Sequence, residues 1–168
     1  MIKVLLISFL LGLGLICFGQ TYISIAPSLT NTPGTIADKS NIAIEFGRQW
    51  DVFSMGFDIG KTTLSKVTNL DTTNYFELRP SLNVFQQGKF TNTLTIGLGY
   101  VFNAKENLLT ELTYGIEYAF TPKTHFNVFF GQYFYSGKVS ASNATFFGVS
   151  AMFYLKPNQG GALIKPNK

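Results

Sequence analysis

Charged side chains are scarce in this 168-residue chain. Asp, Glu, Lys and Arg together make up 13% of its residues, and the formal net charge is +4. A water-soluble domain usually carries about 25% charged residues, so the composition is unusual for one. The small, scattered positive charge also gives no basis for binding an acidic polymer, and we expect no nucleic acid among its partners.

Cysteine is almost absent, and the single residue, Cys17, lies in the apolar run 4–18 behind a short basic start. This arrangement, with small residues near its end, is typical of a secretory signal peptide. The run is shorter than the ~20 residues of a spanning helix, so an uncleaved membrane anchor is the weaker interpretation. We expect residues 1–19 to be the signal peptide, with cleavage after residue 19 or 20. A mature chain without a disulfide indicates a protein of the bacterial envelope.

A P-loop is also absent, although the stretch SMGFDIGKTT, residues 54–63, ends like one. A nucleotide-binding P-loop has two glycines separated by four residues before its lysine, and it opens a helix. Gly56 and Gly60 are separated by three residues, and Met55 stands where a glycine is needed. No helical pattern follows this stretch. We therefore expect no nucleotide partner and no NTPase activity.

Large apolar residues are plentiful, and they recur at every second position. Between Leu108 and Phe120 the even-numbered residues form one largely apolar face, whereas Glu111, Thr113 and Glu117 fall on the other. A period of two over so many residues indicates a β-strand. Six further segments repeat the pattern, with apolar positions that begin at Ile42, Phe53, Phe76, Leu94, Phe126 and Phe147. With Tyr22–Leu29 as the first strand, the sequence predicts eight strands in all.

Volume and side-chain size decide which face of these strands points inward. The interior of an eight-stranded barrel is just wide enough for ordinary side chains to fill, and the apolar faces carry too many large residues to fit there. The opposite faces are rich in Gly, Ser and Thr, whereas a soluble barrel such as a lipocalin would be expected to show Lys and Glu outside. The sequence therefore predicts an all-β fold, an eight-stranded antiparallel up-and-down transmembrane β-barrel over residues 21–155, with its apolar faces in lipid.

The predicted connections between strands alternate in length. Those after strands two, four and six are short, at 48–51, 86–91 and 121–123. The others are at about 30–40, 61–73, 103–107 and 136–143, and three of these four are the longest in the chain. Outer-membrane barrels have short periplasmic turns and longer outer loops. We therefore expect both termini in the periplasm, where residues 156–168 would form a flexible C-terminal tail.

Pro27 and Pro80 fall inside predicted strands. Proline has no backbone N–H, so each removes one hydrogen bond from the ladder. Bulges are places where a strand tolerates such a loss. We expect a β-bulge at one or both prolines.

Five of the nine acidic residues fall within predicted strands, and all five share the face that is rich in small residues. Arg79 is the only base clearly on that face, because the lysines of the mature chain lie in or beside connections and the tail. A buried carboxylate without a partner costs several kcal/mol. We expect Arg79 to be the hub of a lumenal polar cluster that holds at least two of the acids. The acids that it cannot reach should have raised pKa values or lie near a wet end of the barrel. The acids are Glu45, Asp58, Glu77, Glu111 and Glu117.

The predicted barrel resembles the small eight-stranded outer-membrane proteins of the OmpA/OmpX-like superfamily. The resemblance covers Tyr22–Leu155 and is architectural, without a diagnostic motif. Its last strand, Gly148–Leu155, is similar to the signal that the barrel-assembly machinery recognises, although more residues follow it. The resemblance implies a place in the outer membrane of a Gram-negative bacterium. The implied partners are outer-membrane lipid, lipopolysaccharide and, during biogenesis, the barrel-assembly machinery.

Three classes of function fit such a barrel. The first is a non-enzymatic protein with a structural or surface role, or a small subunit of an envelope assembly with its own partner; for it we expect no catalytic residue, cofactor or metal. The alternative is a lipid A-modifying barrel enzyme, in which the sole histidine, His125, would activate a serine. In such deacylases a serine lies close to the histidine, whereas here Phe126 and Asn127 follow it. The third class is a narrow channel.

Overall fold

The structure is a computed structural model that describes residues 19–31, 39–65, 70–102, 107–137, 143–157 and 161–164. Of the predicted signal peptide, 1–19, only Gly19 falls within these ranges, so the signal peptide stays a prediction. No helix within the described ranges is long and apolar enough to cross a membrane.

The described residues fold into one closed β-barrel. Each strand pairs antiparallel with its neighbour in sequence, and the last strand pairs with the first. Closure gives every strand a neighbour on both sides, which is the condition for a sheet to span lipid. The predicted all-β, eight-stranded antiparallel up-and-down barrel is confirmed. Its strands are β1 (Gln20–Asn31), β2 (Lys39–Trp50), β3 (Phe53–Ser65), β4 (Leu70–Gln87), β5 (Phe90–Val101), β6 (Asn107–Ala119), β7 (Thr124–Gly137) and β8 (Ala144–Tyr154).

Side chains alternate between the outside and the inside of the barrel, as the period of two predicts. On β8, Phe147 and Phe153 point outward and are about half exposed, whereas Phe146 and Ser150 are buried inside. The outward positions of the other strands form a continuous apolar band, in which Leu98 is 60% exposed. A soluble protein rarely exposes so large an apolar surface, so the outer face is suited to lipid.

The two ends of the barrel have different connections. At the turn end, where β1 begins and β8 ends, the strands are joined by residues 51–52, 88–89 and 120–123. At the loop end the connections are 32–38, 66–69, 102–106 and 138–143. The pattern predicts a loop over 61–73, but β3 and β4 stay paired there until Ser65 faces Leu70. The hairpin is longer than predicted because its Ser- and Thr-rich residues continue the ladder without apolar alternation.

Aromatic residues fill the half of the lumen nearest the loop end, where the sequence predicts mainly small residues. The rings of Tyr133 and Phe146 stack with centroids 4.2 Å apart, and Phe129 lies 6.1 Å from Phe146. Glycines make this packing possible, because a Cβ at Gly148 would lie 2.4 Å from the ring of Phe129. Large and small residues therefore alternate around the lumen here, and this half of the interior is close-packed. We call this group the aromatic plug; it comprises Tyr75, Val101, Leu109, Phe129, Tyr133 and Phe146.

The prediction of a β-bulge at Pro27 or Pro80 is wrong, because the bulge lies elsewhere in β4. The register from β1 to β2 is unbroken through Pro27, and that from β3 to β4 is unbroken through Pro80. The pairing is interrupted only on the other side of each proline, toward β8 and β5, and without a shift. A missing N–H removes a hydrogen bond but adds no residue to the strand. The register shift lies between Asn83 and Phe85 of β4.

The turn end of β4 extends beyond its neighbour β3. Leu82 faces Phe53, the first residue of β3, and β4 then continues to Gln87. Residues 83–87 of β4 therefore have no residue of β3 paired with them. Unpaired edges of this kind attract another extended segment.

Residues 161–164 of the predicted tail occupy this edge. Leu163 N donates to Asn83 O and Ile164 N to Val84 O, each at 3.0 Å, and Gln86 N donates to Ile164 O at 3.0 Å. Ile164 forms a parallel bridge with β4. The structure thus differs from the expected flexible tail at these four residues, because they satisfy backbone groups that β3 leaves open.

Candidate functional site

The centre of the lumen holds a partly buried arginine between two acids. Arg79 projects inward from β4. Its Nη1 donates to Glu45 Oε2 of β2 at 2.5 Å, and its Nη2 donates to Glu111 Oε1 of β6 at 2.7 Å. Hydrogen bonds between charged groups are shorter and stronger than neutral ones. Each of these two crosses the lumen to a strand that is not a neighbour of β4, so Arg79 links three strands beyond the backbone ladder.

Hydroxyl groups give the same two acids further donors. Tyr22 Oη donates to Glu45 Oε1, and Thr113 Oγ1 donates to Glu111 Oε1 at 2.5 Å. Tyr22 lies on β1 and Thr113 on β6, so the polar cluster involves β1, β2, β4 and β6. Neither residue belongs to the cluster predicted from the sequence. Both have the parity of the lumenal face, which is the signal that could have identified them.

Asp58 and Glu77 lie close to the cluster without reaching Arg79 by a hydrogen bond. They face each other across β3 and β4, and Tyr75 Oη donates to Asp58 Oδ2 at 2.6 Å. Glu77 is fully buried beside Glu111, and its oxygens have no hydrogen-bond partner among the described residues. Burying an ionised, unpaired carboxylate is very costly. Of the acids near Arg79, Glu77 therefore has the least compensation for its burial among the described residues.

Glu117 belongs to a second group at the turn end. Its Oε1 contacts Nδ1 of His125, which faces inward from β7. The imidazole packs against Tyr154, with ring centroids 4.8 Å apart, and Tyr154 Oη donates to Gln49 Oε1 at 2.7 Å. The structure therefore separates the six residues of the predicted lumenal cluster. Arg79, Glu45, Glu111, Asp58 and Glu77 lie around the centre, and Glu117 pairs with His125 nearer the end.

Two cavities lie in the turn half of the lumen. The smaller, of about 50 Å³, is lined by Arg79 and Glu45 among others. The larger, of about 270 Å³, is lined by His125 and the connections at the turn end. Gln49, Asn83 and Glu117 line both, so the two cavities adjoin. The described lumen is thus polar and hollow toward the turn end and apolar and filled toward the loop end.

The position of His125 bears on the enzymatic alternative. The imidazole is inside the barrel at the turn end, 5% exposed, and not on the outer face that contacts lipid. Among the described residues that line its cavity there are two threonines, Thr91 and Thr121, but no serine. A lipid acyl chain on the outer face therefore has no direct path to this imidazole in the arrangement described.

Comparison with known proteins supports the fold and no more. No protein-family model and no curated protein matches the chain. Among solved structures, Neisserial surface protein A is similar at 11% identity and a TM-score of 0.60, covering 80% of this chain and 96% of that one. The N-terminal β-barrel domain of Pseudomonas aeruginosa OprF is similar at 15% identity and a TM-score of 0.51, and the match covers 80% of this chain and 99% of that one. The designed protein TMB2.3 is similar at 14% identity and a TM-score of 0.53, and the match covers 83% of this chain and 98% of that one.

These identities are too low to transfer an activity, but the architecture agrees. The chain has the architecture of the small eight-stranded outer-membrane β-barrels, as the resemblance to the OmpA/OmpX-like superfamily predicts. One of the similar structures is a designed barrel, so the fold by itself implies no biological role.

Proposed function

We propose that this protein is a non-enzymatic integral protein of the bacterial outer membrane with a structural or surface role, or a small subunit of an envelope assembly. The observation that carries the proposal is the contrast between the two faces of the barrel. The outer face is an apolar band, and the lumen is held together by the Arg79 ion pairs and the aromatic plug. Such a barrel is built to be stable in lipid.

The aromatic plug argues against the channel alternative. Tyr75, Tyr133 and Phe146 pack across the lumen near the loop end, and Tyr135 Oη is hydrogen-bonded to Thr62 Oγ1 at 2.7 Å. An aqueous pore requires a continuous polar path, and close-packed rings interrupt it. A sealed lumen favours a role in which the barrel anchors a surface or an assembly.

We further propose that the turn end faces the periplasm. Short connections mark the periplasmic side of outer-membrane barrels, and the start of β1 and the end of β8 lie at the end with the short connections. Outer-membrane lipid would surround the apolar band, and lipopolysaccharide would contact its loop-end rim. The barrel-assembly machinery would insert the chain.

Membrane fractionation tests the location. We expect the mature protein to be recovered with outer membranes and to change its mobility on an SDS gel when boiled, because folded barrels resist SDS. The aromatic plug and the Arg79 ion pairs supply the packing that makes such resistance possible. Recovery of the protein in the soluble periplasmic fraction would contradict the proposal.

Affinity purification from solubilised outer membranes separates the two forms of the proposed role. A stoichiometric partner would support the subunit of an assembly, whereas a protein purified alone would support the free-standing role. The tag should replace neither strand β8 nor residues 161–164, because both lie against the barrel. A tag placed after residue 168 meets this condition.

Substitution of His125 tests the enzymatic alternative. We expect His125→Ala to leave the lipid A profile of the cell unchanged, because the imidazole lies inside the lumen and not toward lipid. The profile is measured by mass spectrometry of extracted lipid A in the wild-type, deletion and His125→Ala strains. A change that is identical in the deletion and His125→Ala strains would support an enzyme instead.

A further inference from the structure

One ring nitrogen of His125 contacts a carboxylate, and the other has no hydrogen-bond partner among the described residues. Nδ1 contacts Glu117, which fixes the orientation of the ring. Nε2 is buried and has no hydrogen-bond partner among the described residues. A buried polar atom in this state is costly unless it is satisfied. The side chain is therefore placed to bind a polar ligand rather than only to fill space.

The imidazole lines a cavity that matches this purpose. The cavity has a volume of about 270 Å³ and is bounded by the connections 88–89 and 120–123 at the turn end. Its polar walls include Gln86 and Thr91, and its apolar walls include Phe120 and Pro122. This volume suits a small molecule or the end group of a larger one, and the position at the turn end allows entry from that side.

The charged groups around the cavity indicate the chemistry of the ligand. Glu117 faces His125 from β6, and Lys89 lines the cavity from the β4–β5 turn, with its Nζ 5.9 Å from the outer ring of Tyr118. Tyr154 faces His125 from β8, but its hydroxyl donates to Gln49. An oxyanion opposite Glu117 would place a hydrogen-bond acceptor on each side of the imidazole, whose two nitrogens can both act as donors. The ammonium of Lys89 lies over the outward-facing ring of Tyr118, so it would attract the same charge from the rim of the cavity and not from its interior.

We propose that the turn-end cavity binds a small oxyanion, a carboxylate or phosphate group, on His125 Nε2, with Lys89 supplying a second positive charge. A metal ion fits less well, because the described residues contain no group of three His, Cys, Asp or Glu side chains that could hold one. The site adds a ligand to the structural role and does not depend on it. A barrel in the outer membrane could lack this ligand, and the ligand could bind to a barrel with another role.

The single histidine makes a direct test possible. Untagged protein with isotope-labelled histidine gives imidazole nitrogen signals from one residue, because His125 is the only histidine in the chain. The protein, refolded in detergent micelles, is titrated with sodium acetate, with inorganic phosphate and, at matched ionic strength, with sodium chloride. We expect a saturable change of the Nε2 signal with acetate, phosphate or both, and none with chloride. Phosphate alone would indicate a phosphate-bearing ligand, and acetate alone a carboxylate.

Matched variants locate the site. Lys89→Gln should raise the half-saturating concentration about two- to fivefold, the usual size of one exposed charge interaction. Lys156→Gln, which removes the same charge from the same end but not from the cavity, should leave the concentration unchanged. His125→Gln should abolish the rise in unfolding temperature that the bound anion causes, while retaining the mobility shift on boiling that shows a folded barrel.

Three results would overturn the proposal. Chloride could produce the same change as the oxyanions, which would show general screening. The Nε2 signal could be insensitive to all the anions. Zinc could change the signal at concentrations at which the oxyanions do not, which would show a metal ligand. None of these results bears on membrane fractionation, so a failure here is distinct from a failure of the proposed structural role.

Discussion

Arg79→Ala is expected to lower the free energy of unfolding by about 3–5 kcal/mol. The guanidinium bonds Glu45 at 2.5 Å and Glu111 at 2.7 Å, and Glu111 is almost completely buried. Removing it would leave both carboxylates inside the lumen with only the hydroxyls of Tyr22 and Thr113 as donors. Urea unfolding in lipid vesicles, followed by the mobility shift on SDS gels, measures the loss.

Two controls separate charge from packing in this experiment. Lys89→Ala removes a positive charge from an exposed turn and should cost almost nothing. Arg79→Met combined with Glu45→Gln and Glu111→Gln removes the stranded charges together, and it should recover most of the stability, because buried ion pairs are often replaceable as a unit. An Arg79→Ala barrel as stable as the wild type would contradict the role of the cluster. No recovery in the triple variant would assign the loss to packing.

The period of two made the barrel predictable, whereas the contacts inside it were not. Alternation fixes which face each strand residue occupies, and so it places Arg79 on the face of the five acids. It does not fix how far the strands are staggered around the barrel. That stagger decides that Arg79 lies between Glu45 and Glu111, while Glu117 is carried to the turn end beside His125.

Two further features escaped the sequence for related reasons. The register shift at Asn83–Phe85 has no proline or glycine to mark it. The pairing of Ile164 with β4 joins residues that are far apart in the chain, and it depends on the point at which β3 begins. The two glycines at 160 and 161 indicate a break in regular structure. Residues 163 and 164 bond to β4 because β4 extends beyond the start of β3, and that extension is not visible in the local composition.

The aromatic plug also follows from pairwise complementarity that single strands do not reveal. Phe129 and Tyr133 have lumenal parity, yet parity alone suggests that they are too large for a narrow interior. Gly148 of β8 lies opposite Phe129 in the register of β7 and β8, and Gly131 of β7 lies opposite Phe146. Each ring thus occupies the space that a glycine leaves on the next strand. Pairing the large residues with the glycines needs the register, which the sequence alone does not supply.

Phe146→Ala is expected to lower the free energy of unfolding by about 3–5 kcal/mol, because it opens a cavity inside the plug that no neighbour can fill. Phe146 is 2% exposed, stacks on Tyr133 and contacts the ring of Phe129. The next residue, Phe147, faces outward and is 53% exposed. Phe147→Ala should cost less, roughly 1.5–3 kcal/mol, since fluid lipid chains close around the truncated side chain and only the transfer energy is lost.

The pair Phe146→Ala and Phe147→Ala also tests whether the plug seals the lumen. Both variants shorten the same residue type on the same strand, but only the first removes a ring that packs across the interior. In planar lipid bilayers we expect a small leak conductance for Phe146→Ala and none for Phe147→Ala or the wild type. A larger loss of stability for Phe147→Ala would reverse the inside and outside of β8. A wild-type conductance equal to that of Phe146→Ala would show that the plug does not close the barrel, because water would then already pass Tyr75, Tyr133 and Phe146.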